Sequence, residues 1–567
     1  MNQPNKLSVA FIIERLAAKR NFDTATLHAV KREFSAASAL PFPTNSELLS
    51  VYRQLVAINK IASHPELERL LTVKPVRSKS GVAIVTLLTM PYPCPGKCIY
   101  CPDEVRMPKS YIETEPAAQR ALRLQFDPYV QTAKRIAMLE GNGHPADKIE
   151  LIVKGGTWSS YPPPYQQWFI KECFRAMNDA AAGYETIVNT DTNNPYNRFE
   201  STEKQSWSVQ TLFDEQKKNE TAAHRCIGLT IETRPDFISP QEIKRLRLLG
   251  VTRVELGVQT TDDKILETIK RGHTATVVMR ATKLLKDAGF KVDFHLMPGL
   301  PGATPENDLA DARKVFFTPE FQPDTVKLYP TVVTPNTELE EWWKQGRYQP
   351  YDTQTLIPLL AAIKAIVPPY VRLSRVIRDI PSDDISAGNK VTNLRETVLA
   401  YMNEHGMRCR CLRCREAGHQ SNVRPQNITY IERSYAASDG IEYFLSYESE
   451  DESILYAFLR LRLPSKDTER IVHLIPELQD AALIRELHTY GQLVPINKQD
   501  GDASQHKGLG KKLLAQAETM AAAQGWKKVA VISGIGVREY YRKTGYHLEG
   551  TYMVKALNPR GIAVSTE

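Results

Sequence analysis

The spacing of apolar residues changes near residue 79, and this change divides the chain into parts that are built differently. Residues 1–78 carry apolar positions three and four apart, which predicts amphipathic helices at 7–19, 24–34 and 47–61. Between residues 79 and 345, apolar β-branched runs alternate with helical segments and predict strands at 82–89, 149–153, 226–232, 253–258, 292–297 and 326–329. The main intervening helices are predicted at 116–139, 240–249, 262–270 and 274–288. Strands that alternate with helices favour an α/β fold with a parallel sheet, here a partial (βα)6 barrel of the TIM type.

A second α/β pattern begins at residue 426 and continues to the end of the chain. It predicts a helix at 511–524 and strands at 428–433, 442–446, 457–463, 484–488 and 528–532. Residues 346–425 lie between the two patterns, are rich in arginine and are interpreted as a linking module. Polar residues 190–207 interrupt the first pattern, and we interpret them as an insertion loop. The sequence therefore predicts four parts, 1–78, 79–345, 346–425 and 426–567.

The composition is that of a globular protein with unevenly distributed positive charge. A chain of 567 residues with 42% hydrophobic and 24% charged residues is long enough for several cores. It has no apolar run long enough for a membrane helix and no signal-peptide pattern, so we expect a cytoplasmic protein with no membrane partner. The net charge is +8, and residues 1–80 carry twelve Lys or Arg against six Asp or Glu. Such clustering is typical of proteins that bind a phosphate backbone, although a solvated basic face would show the same pattern.

Three of the eight cysteines stand on one short segment after the first predicted strand. Cys94, Cys98 and Cys101 have C-x3-C-x2-C spacing, which in a reducing compartment indicates a metal rather than disulfides. Three thiolates can ligate three irons of a 4Fe–4S cluster and leave the fourth iron free to bind S-adenosylmethionine (SAM). Zinc is the alternative metal. The position of this loop at the carboxyl end of a barrel strand, where barrel enzymes carry their chemistry, favours the cluster.

Glycines and polar residues also follow four of the other predicted strands. They are Gly155, Gly156, Glu232, Gln259 and His295. Because the carboxyl ends of parallel strands meet at one edge, we expect these residues to lie together and to hold SAM. The glycines would let the backbone approach the amino-acid part of that cofactor. Each residue alone is weak evidence, since a glycine pair is usually only a turn.

The C-terminal part carries a glycine pattern directly before its predicted helix. Gln505, Gly508 and Gly510 precede or open this helix, and backbone N–H groups at such a helix start can bind a pyrophosphate. Together with the flanking segments 485–489, 529–533 and 540–546, the order resembles that of Gcn5-related N-acetyltransferases (GNAT). Tyr541 could donate a proton to a departing CoA thiolate or belong to the core. Glu486 could act as a base through water or simply face solvent.

A second cysteine group has C-x-C-x2-C spacing inside the arginine-rich module. Cys409, Cys411 and Cys414 offer three soft ligands, which suit a structural zinc ion. The fourth ligand is not determined by the spacing, and His405 and His419 are nearby candidates. Arginines between these cysteines would also present cations suited to phosphates. Arg408, Arg410, Arg413 and Arg415 all fall within this short segment.

Several stretches taken together identify a resemblance that covers nearly the whole chain. The matching segments are 98–102, 148–153, 155–157, 230–236, 255–259, 327–331, 378–381, 485–488, 505–510 and 540–546. On these residues the chain resembles the family of the Elongator catalytic subunit, protein three of that complex, in a stand-alone bacterial or archaeal form. The resemblance implies a radical SAM barrel, a zinc-binding linker and a GNAT domain that binds acetyl-CoA, preceded by a basic helical extension.

The resemblance also implies an activity, namely carboxymethylation of carbon 5 of the wobble uridine in the tRNA anticodon stem-loop. In that family a 5′-deoxyadenosyl radical takes hydrogen from the acetyl methyl group of acetyl-CoA, the carbon radical adds to uracil, and hydrolysis releases CoA. A separate reductant supplies the cluster with electrons. The cluster ligands implied are Cys94, Cys98 and Cys101. The implied acetyl-CoA contacts are Lys148, Glu486, Leu487, His488, Thr489, Leu509, Gly510, Lys511 and Tyr541.

Two other functional classes remain compatible with the same residues. One is a protein lysine acetyltransferase in which the iron–sulfur domain is structural. The other is a tRNA-binding scaffold with vestigial sites, which the complete cysteine triad disfavours. The sequence does not determine the oligomeric state, and a homodimer is kept as a hypothesis.

Overall fold

The computed structural model describes residues 9–19, 23–38, 41–74, 81–179, 209–419, 427–465, 471–490 and 508–557. The predicted insertion at 190–207 and the predicted ligand Gln505 lie outside these residues. No helix within the described ranges is both long and apolar enough to span a membrane.

The N-terminal part is helical, as its apolar spacing predicts. Its four helices are Val9–Ala17, Thr24–Ser38, Asn45–Ala57 and Pro65–Leu71. They enclose a small core of their own that includes Ile12, Phe34 and Tyr52. The third helix begins with a capping box, in which the Thr44 and Glu47 side chains each accept a backbone N–H of the other residue. The fourth helix was not predicted.

The first sheet contains seven parallel strands in sequential order. They are β1 (Ala83–Leu88), β2 (Lys148–Lys154), β3 (Arg225–Thr233), β4 (Arg253–Gln259), β5 (Lys291–Leu296), β6 (Thr325–Leu328) and β7 (Arg372–Arg375). Because β1 and β7 are the two ends of this order and do not pair with each other, the sheet is a partial barrel. The six predicted strands are confirmed, but the count is wrong by one. Strand β7 comes from the segment interpreted as a linker, and the other part boundaries stay predictions.

Half of the helices that accompany this sheet begin at a residue whose side chain caps the helix. Six of them have an Asp, Ser or Thr that accepts a backbone N–H in the first turn, namely Asp127, Ser239, Asp262, Thr304, Thr337 and Asp352. The helices are Pro116–Arg123, Pro128–Gly141, Pro163–Asp179, Val209–Asn219, Pro240–Leu248, Asp263–Thr268, Ala275–Asp287, Pro305–Phe317, Glu338–Lys344, Thr353–Ile366, Leu394–Glu404 and Leu412–Arg415. The single helix predicted at 116–139 is two helices. Gln125 and Phe126 adopt positive φ values of 51° and 57° between them, which ends the first.

The second sheet is mixed and has the order β13-β14-β12-β11-β10-β9-β8. Its strands are β8 (Ile428–Ala437), β9 (Gly440–Ser449), β10 (Leu455–Leu463), β11 (Ala481–Thr489), β12 (Lys528–Val531), β13 (His547–Glu549) and β14 (Tyr552–Ala556). The helices Leu509–Ala523 and Arg538–Arg542 accompany it. The predicted strands and the predicted helix are confirmed, whereas β13 and β14 were not predicted.

Strand β11 separates from its parallel neighbour part way along its length. It pairs with β12 only through residues 481–484, and Ile532 then donates its backbone N–H to Ile484. Within the described ranges, residues 486–489 continue as a strand that pairs with β10 and not with β12. The helix Leu509–Ala523 begins beside this stretch, since a Cβ on Gly510 would lie 3.6 Å from Thr489 Cγ2.

The two sheets are joined by buried ion pairs. Arg485 of β11 binds Asp324, which precedes β6, and its Nη1 lies 3.0 Å from Asp324 Oδ1 and 2.9 Å from Glu442 Oε2. Arg462 of β10 binds Asp287 at 2.6 Å. All of these side chains are at most 5% exposed. Close packing adds to the junction, because a Cβ on Gly534 would lie 2.1 Å from the carbonyl oxygen of Ile227 in β3.

We expect Arg485→Met to destabilise the protein strongly, because it leaves Asp324 and Glu442 buried with less compensating charge. Breaking one side of a buried pair typically costs about 3–5 kcal/mol. The measurement is the free energy of unfolding from a urea titration that follows the unfolding of the C-terminal sheet.

The matched control is Lys527→Met. Lys527 pairs with Asp480 at 2.8 Å, but the two side chains are 79% and 45% exposed. An exposed pair contributes about 1 kcal/mol or less. Equal losses in both variants would contradict the importance of the buried pair.

Candidate active site

One cavity of about 910 Å³ connects the two sheets. Its wall includes the loop of Cys94, Cys98 and Cys101, the inner residues of the partial barrel, and residues from β10 and β11 of the second sheet. Two of the predicted acetyl-CoA contacts, Glu486 and His488, therefore line the same space as the cysteine loop.

The cysteine loop follows β1 and is held by hydrogen bonds to its sulfur atoms. Arg271 Nη1 donates to Cys98 Sγ at 3.4 Å, and the Gly96 N–H donates to Cys94 Sγ at 3.4 Å. Burial raises the pKa of the Cys98 thiol, but the charge and hydrogen bond of Arg271, together with Tyr100 and Arg234, outweigh it and the net shift is downward. Burial raises the pKa of Cys101 to about 12. The loop thus stabilises a thiolate most directly at Cys98.

The spread of the three sulfur atoms fits a cluster better than a single zinc ion. Within the part of the chain that is described, the groups of three metal-binding side chains with ligand atoms within 4.8 Å of one another include Cys409, Cys411 and Cys414 but not the first triad. A tetrahedral zinc ion with Zn–S bonds of about 2.3 Å needs that close spacing. The first triad therefore has the donor chemistry and the wider spacing that several irons require.

The two predicted glycines have different surroundings. A Cβ on Gly155 would lie 1.7 Å from Thr89 Oγ1, and one on Gly156 would lie 2.9 Å from the Lys109 carbonyl oxygen. Both have positive φ values, 150° and 82°. Gly156 lines the cavity, whereas Gly155 does not. The pair is thus needed first to let this turn pack against β1 and the cysteine loop.

Glu232, Gln259 and His295 all line the cavity, as predicted. Gln259 ends β4 with a φ of 74°, a conformation uncommon for a residue with a side chain and typical of functional sites. Glu232 pairs with Lys154 at 3.4 Å. His295 Nε2 lies 3.2 Å from a Glu255 oxygen, and burial lowers the His295 pKa, so a neutral imidazole is favoured.

The interior of the partial barrel also contains charged residues that sequence reasoning missed. Glu255 is fully buried and contacts Lys327 as well as His295. Asp293, 1% exposed, lines the cavity, and neither of its carboxyl oxygens has a hydrogen-bond partner among the described residues. Burial raises the Asp293 pKa to about 7. The available signal was the charged residues at alternate positions in the first half of β4 and β5, namely Arg253, Glu255, Lys291 and Asp293, which is unusual for strands inside a barrel.

Alternate residues of β11 and its extension face the cavity from the second sheet. Glu486, His488 and Tyr490 line it, whereas Leu487 packs against the second core. Thr489 points towards the glycine helix, since a Cβ on Gly510 would lie 3.6 Å from Thr489 Cγ2. This alternation is the normal geometry of a strand, and it divides the predicted acetyl-CoA contacts between two faces.

The geometry does not favour Glu486 as a base. One of its oxygens lies 3.0 Å from Lys291 Nζ of β5, and the other lies 3.0 Å from Arg460 Nε. Burial raises the pKa of Glu486, but these two cations outweigh it and bring the pKa to about 2. A carboxylate of that acidity is a weak proton acceptor at neutral pH. Its observed role is to join β11 to the barrel.

The remaining predicted contacts do not line the cavity. Gly508 has a φ of 69° and precedes the helix that begins at Leu509, Gly510 is buried, and Lys511 is exposed. Tyr541 is buried in the second core, and burial raises its pKa, which keeps the phenol protonated. Lys148 begins β2 and is not part of the cavity wall, so it is not brought to the common space.

The second cysteine group forms a compact set of three thiols. Cys409 and Cys411 are buried, and all three ligand atoms lie within 4.8 Å, which fits zinc. No fourth His, Cys, Asp or Glu joins them within the described ranges. His405 stacks on Tyr401, with its Nδ1 2.8 Å from the Tyr401 carbonyl. The side chain of His419, the other candidate, lies outside the described residues.

The parallel partial barrel with a three-cysteine loop after its first strand defines a radical SAM protein. In agreement, residues 90–314 match the Radical SAM superfamily and residues 323–404 match the Radical SAM C-terminal domain. The chain belongs to the family of the tRNA uridine(34) acetyltransferases and Elongator complex protein 3. The superfamily implies a 4Fe–4S cluster and SAM as cofactors.

The relatives cover most of the chain. The tRNA uridine(34) acetyltransferase of Methanocaldococcus jannaschii is 44% identical and covers 96% of this chain and 97% of its own length. Human Elongator complex protein 3 is 41% identical, with 86% of each chain covered. The solved structure of the Methanocaldococcus infernus Elongator protein with an N-terminal deletion is 42% identical and has a TM-score of 0.69. This match covers 84% of this chain and all of that one.

We expect the two cysteine groups to hold different metals. After anaerobic reconstitution, replacing Cys94, Cys98 and Cys101 by alanine should reduce bound iron to background and leave zinc unchanged. Replacing Cys409, Cys411 and Cys414 should do the reverse. Metal analysis of the purified variants is the measurement, and loss of zinc from the first variant would contradict the assignment.

Asp293 should make stability depend on pH in a defined direction. Its pKa is about 7 in the folded protein, above the ordinary value of 3.8. Between these values the folded state keeps a proton that the unfolded state releases, so the folded state loses stability as pH rises through this window. We expect the stability of wild type relative to Asp293→Asn to fall between pH 4 and pH 7. Urea titrations across this range measure it, and a parallel pH dependence in both proteins would contradict it.

Proposed function

We propose that this protein carboxymethylates carbon 5 of the wobble uridine of tRNA, using SAM and acetyl-CoA. The observation that carries the proposal is the single cavity lined by both the Cys94–Cys101 loop and the β11 residues Glu486 and His488. An enzyme that transfers carbon from acetyl-CoA with a SAM-derived radical needs both sites to open into one space. Relatives named tRNA uridine(34) acetyltransferase support a wobble uridine as the substrate.

The barrel side of the cavity would hold the cluster and SAM. When bound, they supply a 5′-deoxyadenosyl radical. Cys94, Cys98 and Cys101 are the proposed cluster ligands, and the N–H donated by Arg271 fixes the Cys98 sulfur. Gly156, Glu232, Gln259 and His295 line the wall beside this loop and are the proposed SAM contacts. Glu232 is buried and the other three are half-buried.

The second sheet would hold acetyl-CoA beside residues 485–489 of β11. Among the described residues, the partner strand of this stretch is β10, and the helix Leu509–Ala523 begins next to it. Backbone N–H groups at a helix start are suited to the pyrophosphate of CoA. A Cβ on Gly510 would lie 2.9 Å from Tyr540 Oη, so a larger residue here would displace that ring. Tyr541, which stays protonated, is the proposed proton donor to the CoA sulfur.

Glu486 is better described as a positioning residue than as a base. Its ion pair with Lys291 fixes β11, and with it His488, against β5 of the barrel, and Arg460 of β10 holds its other oxygen. Fixing two reacting groups at a constant distance from each other makes their reaction effectively unimolecular.

Arginines on the wall of the cavity offer positive charge for RNA binding. They are Arg375, Arg378, Arg395 and Arg413, of which Arg375 pairs with Asp379 and Arg378 pairs with Glu115. Arg413 is partly buried, and burial together with the charges of Arg395 and Arg372 lowers its pKa to about 10. Cations that repel one another in this way favour binding of a polyanion. The basic N-terminal helices would extend this surface towards the anticodon stem-loop.

The test combines reconstituted protein with SAM, a reductant, acetyl-CoA and tRNA. We expect 5′-deoxyadenosine to accumulate only when acetyl-CoA and tRNA are both present, with carboxymethyluridine as the product detected by mass spectrometry. Cys98→Ala should abolish SAM cleavage and change tRNA affinity by less than about twofold, because the cysteine loop binds the cluster and not RNA.

Cys226→Ala is the matched control. Cys226 is a buried cysteine on β3 that belongs to neither cysteine group, so SAM cleavage should persist. Loss of tRNA affinity in step with turnover in Cys98→Ala would contradict the proposal. Acetylation of a lysine peptide without SAM would support a protein acetyltransferase instead.

A further inference from the structure

Two buried arginines approach the cysteine loop from the barrel side. Arg271 is 6% exposed, and its Nη1 donates to Cys98 Sγ at 3.4 Å. Its Nε donates to the Gly257 carbonyl at 3.1 Å, so the guanidinium is fixed in place. No carboxylate forms an ion pair with Arg271 within the described part of the chain.

Arg234 faces the same loop with one free nitrogen. It is 6% exposed, and its Nε and Nη2 each donate to Asp236 at 2.9 Å. Its Nη1 is buried with no hydrogen-bond partner among the residues described. A Cβ on Gly96 would lie 2.5 Å from this Nη1, so the atom sits directly against the loop between Cys94 and Cys98.

Burying a cation without an anionic partner is energetically unfavourable, so buried cations usually have such a partner. The group implied at this loop supplies the missing negative charge. Three thiolates on a 4Fe–4S core of charge 2+ give a net charge of −1, and uptake of one electron gives −2. A cation fixed beside the cluster therefore stabilises the reduced form more than the oxidised form. Hydrogen bonds to the sulfurs of such a cluster have the same effect on its potential.

We propose that Arg271 and Arg234 raise the reduction potential of the cluster, Arg271 through its N–H to the Cys98 sulfur and Arg234 through the N–H aimed at the loop. The electron comes from a one-electron reductant, and no other bond or proton changes in this step. The inference rests on the cluster that the superfamily implies and not on the proposed tRNA reaction.

The test is a redox titration of the anaerobically reconstituted protein, followed by the electron paramagnetic resonance of the reduced cluster. Arg271→Met keeps an unbranched side-chain stem but removes the guanidinium with its charge and its donors. We expect its potential to be more negative by about 59 mV, which is a tenfold fall in the equilibrium constant for one-electron reduction. Arg271→Lys, which keeps the charge, should lie between this variant and wild type.

Lys270→Met is the matched control, since it removes a neighbouring positive charge. Lys270 pairs with Glu338 at the surface, and its side chain is 52% exposed. Solvent screens such a charge, so the potential should stay at the wild-type value. Arg234→Met, with a smaller negative shift expected, tests the second arginine separately.

Iron content distinguishes a tuning role from a purely structural one. Unchanged iron with an unchanged potential in Arg271→Met would overturn the proposal. If Arg271→Met holds no iron, the titration is carried out on Arg271→Lys and Arg234→Met, and wild-type potentials in both would overturn it. The titration contains neither tRNA nor acetyl-CoA, so its result is independent of whether the proposed reaction is correct.

Discussion

The salt bridge of Glu486 with Lys291 is the contact on which the joint cavity depends. It joins β11 of the second sheet to β5 of the barrel, and Arg460 of β10 holds the other oxygen of Glu486 and also reaches Asp324 before β6. Removing ions from water is expensive, and only a well-defined geometry with several partners offsets that cost. A shifted docking of the two sheets would leave these charges unpaired. Apolar contacts alone would stabilise several dockings nearly equally well, so the ion pairs select the one in which the cavity reaches both sites.

Most of the fold could be predicted from the sequence because local patterns determine it. The strands β1 to β6 carry β-branched and other apolar residues between helical segments, which is the pattern of a parallel sheet. Strand β7 escaped because its sequence, Arg-Leu-Ser-Arg, contains a single apolar residue, a pattern that is typical of a surface segment. The break at Gln125 and Phe126 escaped because neither residue is a glycine or proline, although both adopt positive φ. There the tertiary packing overrides the local preference.

The candidate site could be predicted only where its residues form a short motif. The cysteine loop and the glycine pattern at 508–510 are local, and spacing alone identified them. Glu486 was read as a base because its partner Lys291 is far away in the chain, and no spacing rule connects the two. Arg271 was missed for the same reason, since its contact with Cys98 joins two separate loops. Chemical identity is thus visible in sequence, whereas the pKa and the role of a residue depend on neighbours that only the fold supplies.

The charged interior of the barrel explains how one space can reach both sheets. Barrels of this type usually fill the interior with layers of branched apolar side chains, which leaves no passage. Here Glu255, Asp293 and Lys327 occupy those layers, and the apolar core lies instead between the outer face of the strands and the helices. The charged groups interact with one another and keep part of their hydration. Closing the cavity around them would remove that hydration, which is unfavourable, so the polar space stays open. The barrel interior therefore contributes less apolar burial to the stability of the fold. The helix layer and the junction of the two sheets supply the stabilising contacts instead, which leaves the interior available for a reaction.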